Sequence, residues 1–174
     1  MDLEAEYRYK RRRFIESVQT RTVVALIEAD SFRYGLRGEE LQLLPSRGCT
    51  SRVETKTTAG AVYRLTFPRP LLPGERHTFS FTERRLPSVP TPAAELVSDF
   101  AGQSFEQPAQ RFTVRVVFGE EVPRVVWAYE RLTDIERPGQ PSRGVNTLNV
   151  RCGAATHTFA DAAGGLRYGA AWTW

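Results

Sequence analysis

Apolar and polar residues alternate with a period of two along most of this chain, the pattern of half-buried β-strands. The fullest case is Arg111 to Leu132, RFTVRVVFGEEVPRVVWAYERL, which reads as two strands around a polar turn at Glu120-Glu121. Its apolar side chains, from Phe112 to Leu132, need a partner surface. Nearer the start, Glu6 to Ile15 puts Tyr7 and Tyr9 on one face and Arg8 and Lys10 on the other, and the basic block Arg11–Arg13 continues the same strand. Positive charge there suits an exposed sheet edge, because it discourages edge-to-edge pairing. Thr20 to Ala29 is rich in β-branched residues and favours strand, although VVALIEA leaves a short helix open.

Further strands follow at short intervals. Asp30 to Arg47 is weaker, a loop or irregular hairpin with a short strand at Leu41–Leu44. SRVETKTTAGAVYRLTF offers two strands around Ala59-Gly60. Pro73-Gly74 presets a turn, with glycine free to take positive φ, and His77, Phe79 and Phe81 then alternate with Thr78, Ser80 and Thr82. Leu86 to Gln110 breaks the pattern: its prolines exclude a central strand, and AAELVSDF could supply a helical turn or two. This segment is read as a crossover. Thr133 to Gly144 is a long turn-rich connection. Leu148 and Val150 alternate, turns are expected at Cys152-Gly153 and Gly164-Gly165, ATHTFADA lies between them as a strand, and Trp172 and Trp174 share one face of a closing strand. The whole reads as all-β: residues 1–174 form one antiparallel β-sandwich, immunoglobulin-like or an open-barrel variant, of roughly eight to ten short strands.

Composition narrows the functional classes. A hydrophobic share of 41% and a charged share of 25% are ordinary for a globular chain. No apolar run is long enough for a transmembrane helix and no signal-peptide core is present, so no membrane role is expected and a cytoplasmic location follows by default. The net charge of +4 is mild and comes mainly from arginine, which a GC-rich genome explains as readily as a nucleic-acid ligand. Cys49 and Cys152 are too few and too far apart for a metal finger, and are expected as small buried hydrophobes.

Candidate chemistry is sparse. His77 and His157 read as ordinary strand residues, so no metal site is expected. The carboxylates at Glu120-Glu121, Glu130 and Asp134–Glu136 fall on turns and exposed faces, not as a facing catalytic pair. No nucleophile elbow, zinc-protease helix, phosphate loop or dinucleotide fingerprint occurs, so no catalytic residue and no cofactor is expected. Two constellations remain as candidate interaction sites. Arg11, Arg12 and Arg13, interleaved nearby with Tyr7, Tyr9 and Phe14, combine charge for phosphate with rings for stacking, a weak nucleic-acid signal. Trp127, Tyr129 and Trp172, with Tyr168 and Trp174, could line a groove for a small molecule or carbohydrate.

PLLPGERHTFSF, VVWAYERLTDIERPGQP and GLRYGAAWTW resemble a β-rich module of uncharacterised actinobacterial proteins, often found downstream of helix-turn-helix domains. The recurring parts are a V-W-x-Y strand (Val126–Glu130), a P-G-x-P turn (Pro138–Pro141) and the closing strand Gly165–Trp174. The resemblance implies a regulatory or sensing module, and no helix-turn-helix is readable in this chain. The expected function is therefore a non-catalytic accessory domain that binds a partner protein through its polar loops.

Overall fold

The computed structural model describes residues 1–37, 40–86, 98–139, 141 and 146–174, and every regular element among them is a β-strand. Among the described residues there are twelve strands in several sheets, in place of the expected single sandwich of about eight to ten. The chain divides into two compact units, residues Met1–Ile15 with Pro92–Trp174, and residues Glu16–Thr91.

In the first unit, β1 (Asp2–Lys10) runs parallel to β9 (Ala109–Phe118), and β11 (Ala154–Ala162) pairs antiparallel on the other side of β9. A second sheet places β12 (Arg167–Thr173) between β10 (Val125–Leu132) and β8 (Ser98–Ser104), antiparallel to both. Tyr7 and Tyr9 of β1, Phe112 to Phe118 of β9, Val126 of β10 and Trp172 of β12 share one apolar core. Burying such side chains contributes about 1.5–3 kcal/mol each.

Residues 111–132 therefore do not form a hairpin. β9 and β10 are consecutive strands in different sheets, because β9 finds its partners in β1, more than a hundred residues earlier, and in β11. Nor does the basic block prolong the first strand. Arg11 and Arg12 both have positive φ, 49° and 58°, which is the backbone of a tight two-residue hairpin turn, and β2 (Arg13–Val24) begins after it. The crossover is shorter than expected: residues 87–97 lie outside the described residues, but residues 98–104 are β8, so SDF belongs to a strand and not to a helical turn.

In the second unit, β6 (Gly60–Leu71) lies between β3 (Ala29–Arg37) and β5 (Thr50–Thr57), and β7 (Arg76–Arg85) lies between β2 and β4 (Leu41–Arg47), all antiparallel. The expected loop at residues 30–37 is thus an edge strand. Its alternation is legible once Tyr34 and Leu36 are seen to face inward, where they join Leu65, Phe67, Phe79 and Phe81 in the core. The Pro73-Gly74 turn forms as its chemistry requires: Gly74 has φ 86° and the Glu75 amide donates to the Leu72 carbonyl at 3.0 Å.

Candidate interaction surfaces

Three local arrangements bear on function: the basic turn, the aromatic strands and an apolar loop tip. The turn at Arg11-Arg12 brings its guanidinium groups against the residues that follow β9. Arg12 Nε is 2.6 Å from Glu121 Oε2, Arg11 Nε is 3.6 Å from Glu120 Oε2, and Lys10 Nζ is 3.7 Å from Glu120 Oε1. The Arg12 guanidinium also stands 5.7 Å from the centre of the Trp174 ring. The ring beside the cations is Trp174 and not Tyr7, Tyr9 or Phe14, which pack in or against the core, and the cations face carboxylates of their own unit. Such exposed pairs contribute little to stability. They do lower the local positive potential a phosphate would meet. Arginines elsewhere follow the same rule, with Arg8 and Arg115 on Glu6, and Arg33 and Arg64 on Glu54. Burial alone would raise the Glu6 pKa, yet hydrogen bonds from Arg8 and Arg115 hold it below the ordinary carboxylate range.

The candidate aromatics do not converge on one groove. Val126 pairs with Trp172 and Trp127 with Ala171 across β10 and β12, so Trp172 faces one side of the sheet and Trp127 with Tyr129 the other. Trp172 is fully buried, 4.8 Å from Tyr9 and 5.2 Å from Phe118 between ring centres. Trp127 and Tyr129 are buried with Phe100 and Leu132 in a separate small cluster on the opposite face. Arg167 lies over it, 5.0 Å from the Phe100 ring.

The second unit contains a buried polar chain that sequence reading missed. Ser17 Oγ donates to Glu83 Oε2 at 2.7 Å, the Tyr34 hydroxyl donates to Glu83 Oε1 at 2.5 Å, Gln19 Nε2 donates to that hydroxyl at 2.9 Å, and Arg21 Nη2 donates to Gln19 Oε1 at 2.9 Å. The Arg21 guanidinium is caged by the rings of Phe32, Tyr34 and Phe81. Burial, with the Glu83 carboxylate beside it, pushes the Tyr34 pKa up. The members are sealed from solvent, and their hydrogen bonds link β2 and β7 of one sheet to β3 of the other, so the chain holds the two sheets of this unit together. The alternation of Ser17, Gln19 and Arg21 was the available signal, but polar residues at period two read by default as a solvent face.

Among the described residues neither histidine is hydrogen-bonded to a nucleophile or an acid. His77 Nε2 is 2.6 Å from the Gly48 carbonyl, and His157 packs edge-on to Phe159. Among the described residues no group of three or more His, Cys, Asp or Glu side chains could hold a metal ion. Both cysteines are free thiols. Cys49 packs at the margin of the core as expected, whereas Cys152 is exposed, because it occupies a tight turn with Gly153 where both residues have positive φ.

An apolar tip projects from the second unit. Residues 25–28, between β2 and β3, are tied to residues 72–75, between β6 and β7: the Ala25 amide donates to the Glu75 carbonyl at 3.0 Å and the Gly74 amide to the Ala25 carbonyl at 2.7 Å. Leu26 is 86% exposed, Ile27 75% and Leu72 57%. The pattern of Thr20 to Ala29 predicts a strand or a short helix there, whereas β2 ends at Val24 and Leu26 and Ile27 stand in the loop after it. No helix among the described residues is long and apolar enough to cross a membrane. The chain matches no protein-family model and no curated protein.

Proposed function

We propose that this chain is a non-catalytic interaction module whose second unit inserts the tip formed by Leu26, Ile27 and Leu72 into an apolar groove on a partner protein. The carrying observation is the exposure of these side chains on two loops that are hydrogen-bonded to each other. Large apolar groups held out in water are costly, and burying each would return about 1.5–3 kcal/mol. The mutual tethering of the loops reduces the entropy lost on docking.

The surroundings favour a protein over a lipid surface. Anionic membranes call for a basic collar around an inserting tip. Here Glu28, Asp30 and Glu75 stand near the tip together with Arg69 and Arg76, and Arg69 is bound two-pronged to Glu75 at 2.9 and 3.0 Å, so the charges are mixed and form no basic collar. The resemblance of Val126–Glu130 and Gly165–Trp174 to an accessory module is compatible with a role exercised through a partner. The basic turn and the aromatic strands, by contrast, spend their charge and rings on intrachain packing.

The test is photo-crosslinking from position 27, with position 53, an exposed valine on β5, as the control. A protein adduct specific to position 27 is expected. The double variant Leu26→Asp, Ile27→Asp should then weaken binding of that purified protein by at least about a hundredfold, the loss of two buried side chains. Equal crosslinking at both positions, or full affinity in the double variant, would overturn the reading.

A further inference from the structure

We infer that the outward face of the sheet formed by β3, β6 and β5 docks an extended acidic segment of a partner protein, through a row of three arginines that runs across the strands. This face is distinct from the apolar tip, and the inference does not depend on it.

The row follows from register. Arg33 on β3 lies opposite Arg64 on β6, and Arg64 lies opposite Arg52 on β5. Phe32 and Leu65, one position along, pack into the core, so the arginines stand on the other, outward face. With neighbouring strands about 5 Å apart, the row is about 10 Å long. The next outward row carries hydroxyls: Ser31, Thr66 and Thr50.

Like charges set directly opposite one another destabilise a sheet. Here that happens twice in succession, and local rules of this kind are broken mainly where function requires it. The register of β5 shifts between Val53 and Thr55, and Glu54, at the shift, reaches two of the three cations. Arg64 Nε donates to Glu54 Oε1 at 2.6 Å and Arg33 Nε to Glu54 Oε2 at 2.9 Å. One carboxylate thus holds two guanidiniums side by side by their Nε atoms, which leaves Nη1 and Nη2 of Arg33 as open donors. Arg52 is exposed and meets no carboxylate among the described residues. Arg37 adds a cation at the end of β3, and Asp30, 3.9 Å from Arg64, adds a carboxylate, so four arginines stand against two acids.

Guanidiniums with free Nη edges take carboxylates or phosphates two-pronged. The surroundings favour carboxylates on a protein. The aromatic residues of these strands, Phe32, Tyr34, Tyr63 and Phe67, all turn into the core, so a single-stranded nucleic acid would find no ring on which to stack its bases. The tip lies past the ends of β3 and β6, so a lipid surface receiving it would run across the strand ends and not along this face.

Fluorescence anisotropy of a labelled peptide of alternating glutamate and serine, with the full chain at low salt, tests this. Binding that weakens with added salt is expected. Arg33→Gln with Arg52→Gln, which leaves the Arg64–Glu54 pair in place, should weaken it at least about tenfold. Arg84→Gln with Arg85→Gln removes the same charge elsewhere and should change it less than about twofold. Arg33→Glu with Arg52→Glu should bind a lysine–serine peptide that the wild type ignores, a gain that a folding defect could not mimic. A single-stranded oligonucleotide and phosphatidylserine vesicles should each lose less affinity than the glutamate peptide in the Arg33, Arg52 glutamine variant. No peptide binding by the wild type, equal losses in the two glutamine pairs, no gain in the glutamate pair, or a larger loss for oligonucleotide or vesicles would each overturn the inference.

Discussion

Tyr129 lies over Gly169: the two are register partners on β10 and β12, and a Cβ added at Gly169 would stand 2.6 Å from the tyrosine hydroxyl. Gly102, the partner of Gly169 on β8, is equally bare, and a Cβ there would fall 2.3 Å from the same oxygen. The tyrosine thus covers a glycine pair across three strands and reaches the Ala101 carbonyl at 3.4 Å. Gly169→Ala should cost about 1–3 kcal/mol through overpacking, read as a lower midpoint in urea denaturation. Tyr129→Phe, which removes a long hydrogen bond and leaves the ring, should cost less than half as much.

Glu83 is the carboxylate of the buried chain that ends at Arg21. Glu83→Leu should lower stability by about 3–5 kcal/mol, because the hydroxyls of Ser17 and Tyr34 lose their acceptor and the buried guanidinium its compensating charge. Glu83→Gln, which keeps an acceptor of the same shape, should cost distinctly less. Denaturation of both variants in parallel decides the matter, and equal losses would count against the network.

The turn at Arg11-Arg12 is held in a backbone region that L-residues enter at a cost. Asparagine tolerates it better. Arg11→Asn should therefore stabilise the chain by a few tenths to about 1 kcal/mol, since the pair given up with Glu120 is long and exposed. A fall in melting temperature would argue against the left-handed turn.

Glu120 and Glu121 are expected to suppress whatever affinity the basic turn has for nucleic acid. Glu120→Gln with Glu121→Gln should raise binding of a fluorescent single-stranded oligonucleotide at low salt, and added salt should abolish the gain. Unchanged binding would mean that the carboxylates do not set the local potential.

Burial raises the pKa of Asp99 on folding. A carboxyl whose pKa is higher folded than unfolded keeps its proton longer in the native state, so its contribution to stability falls as pH rises from the unfolded value through the folded one. Asp99→Asn should accordingly be more stable than the wild type at neutral pH, with the advantage shrinking as pH falls through the acid range towards about 4. Melting curves at several pH values would show it, and a pH-independent difference would contradict the assignment.

Much of the local structure was legible in the sequence. Tyr7 with Tyr9, and Trp172 with Trp174, share faces as their spacing required, and the turns at Pro73-Gly74, Cys152-Gly153 and Gly164-Gly165 occur where their residues permit positive φ. The candidate surfaces were less legible. Leu26 and Ile27 carry no local mark that distinguishes an exposed tip from a strand end, and only the tether between residues 25 and 74–75 holds them out. Ser17, Gln19 and Arg21 look like an outer face until Glu83 and Tyr34 arrive from other strands.

By itself, then, the sequence determined that the chain is β and where most of its strands turn, because alternation and turn chemistry are properties of neighbours along the chain. Tertiary structure alone decided that β9 lies parallel to β1, that residues 111–132 are split between two sheets, that the candidate aromatics face opposite ways, and that a polar stripe is buried in the second unit. The physical reason is that a period of two states which side chains share a face. It is silent on which strand lies alongside and on whether water or protein covers that face, and these depend on residues a hundred positions away.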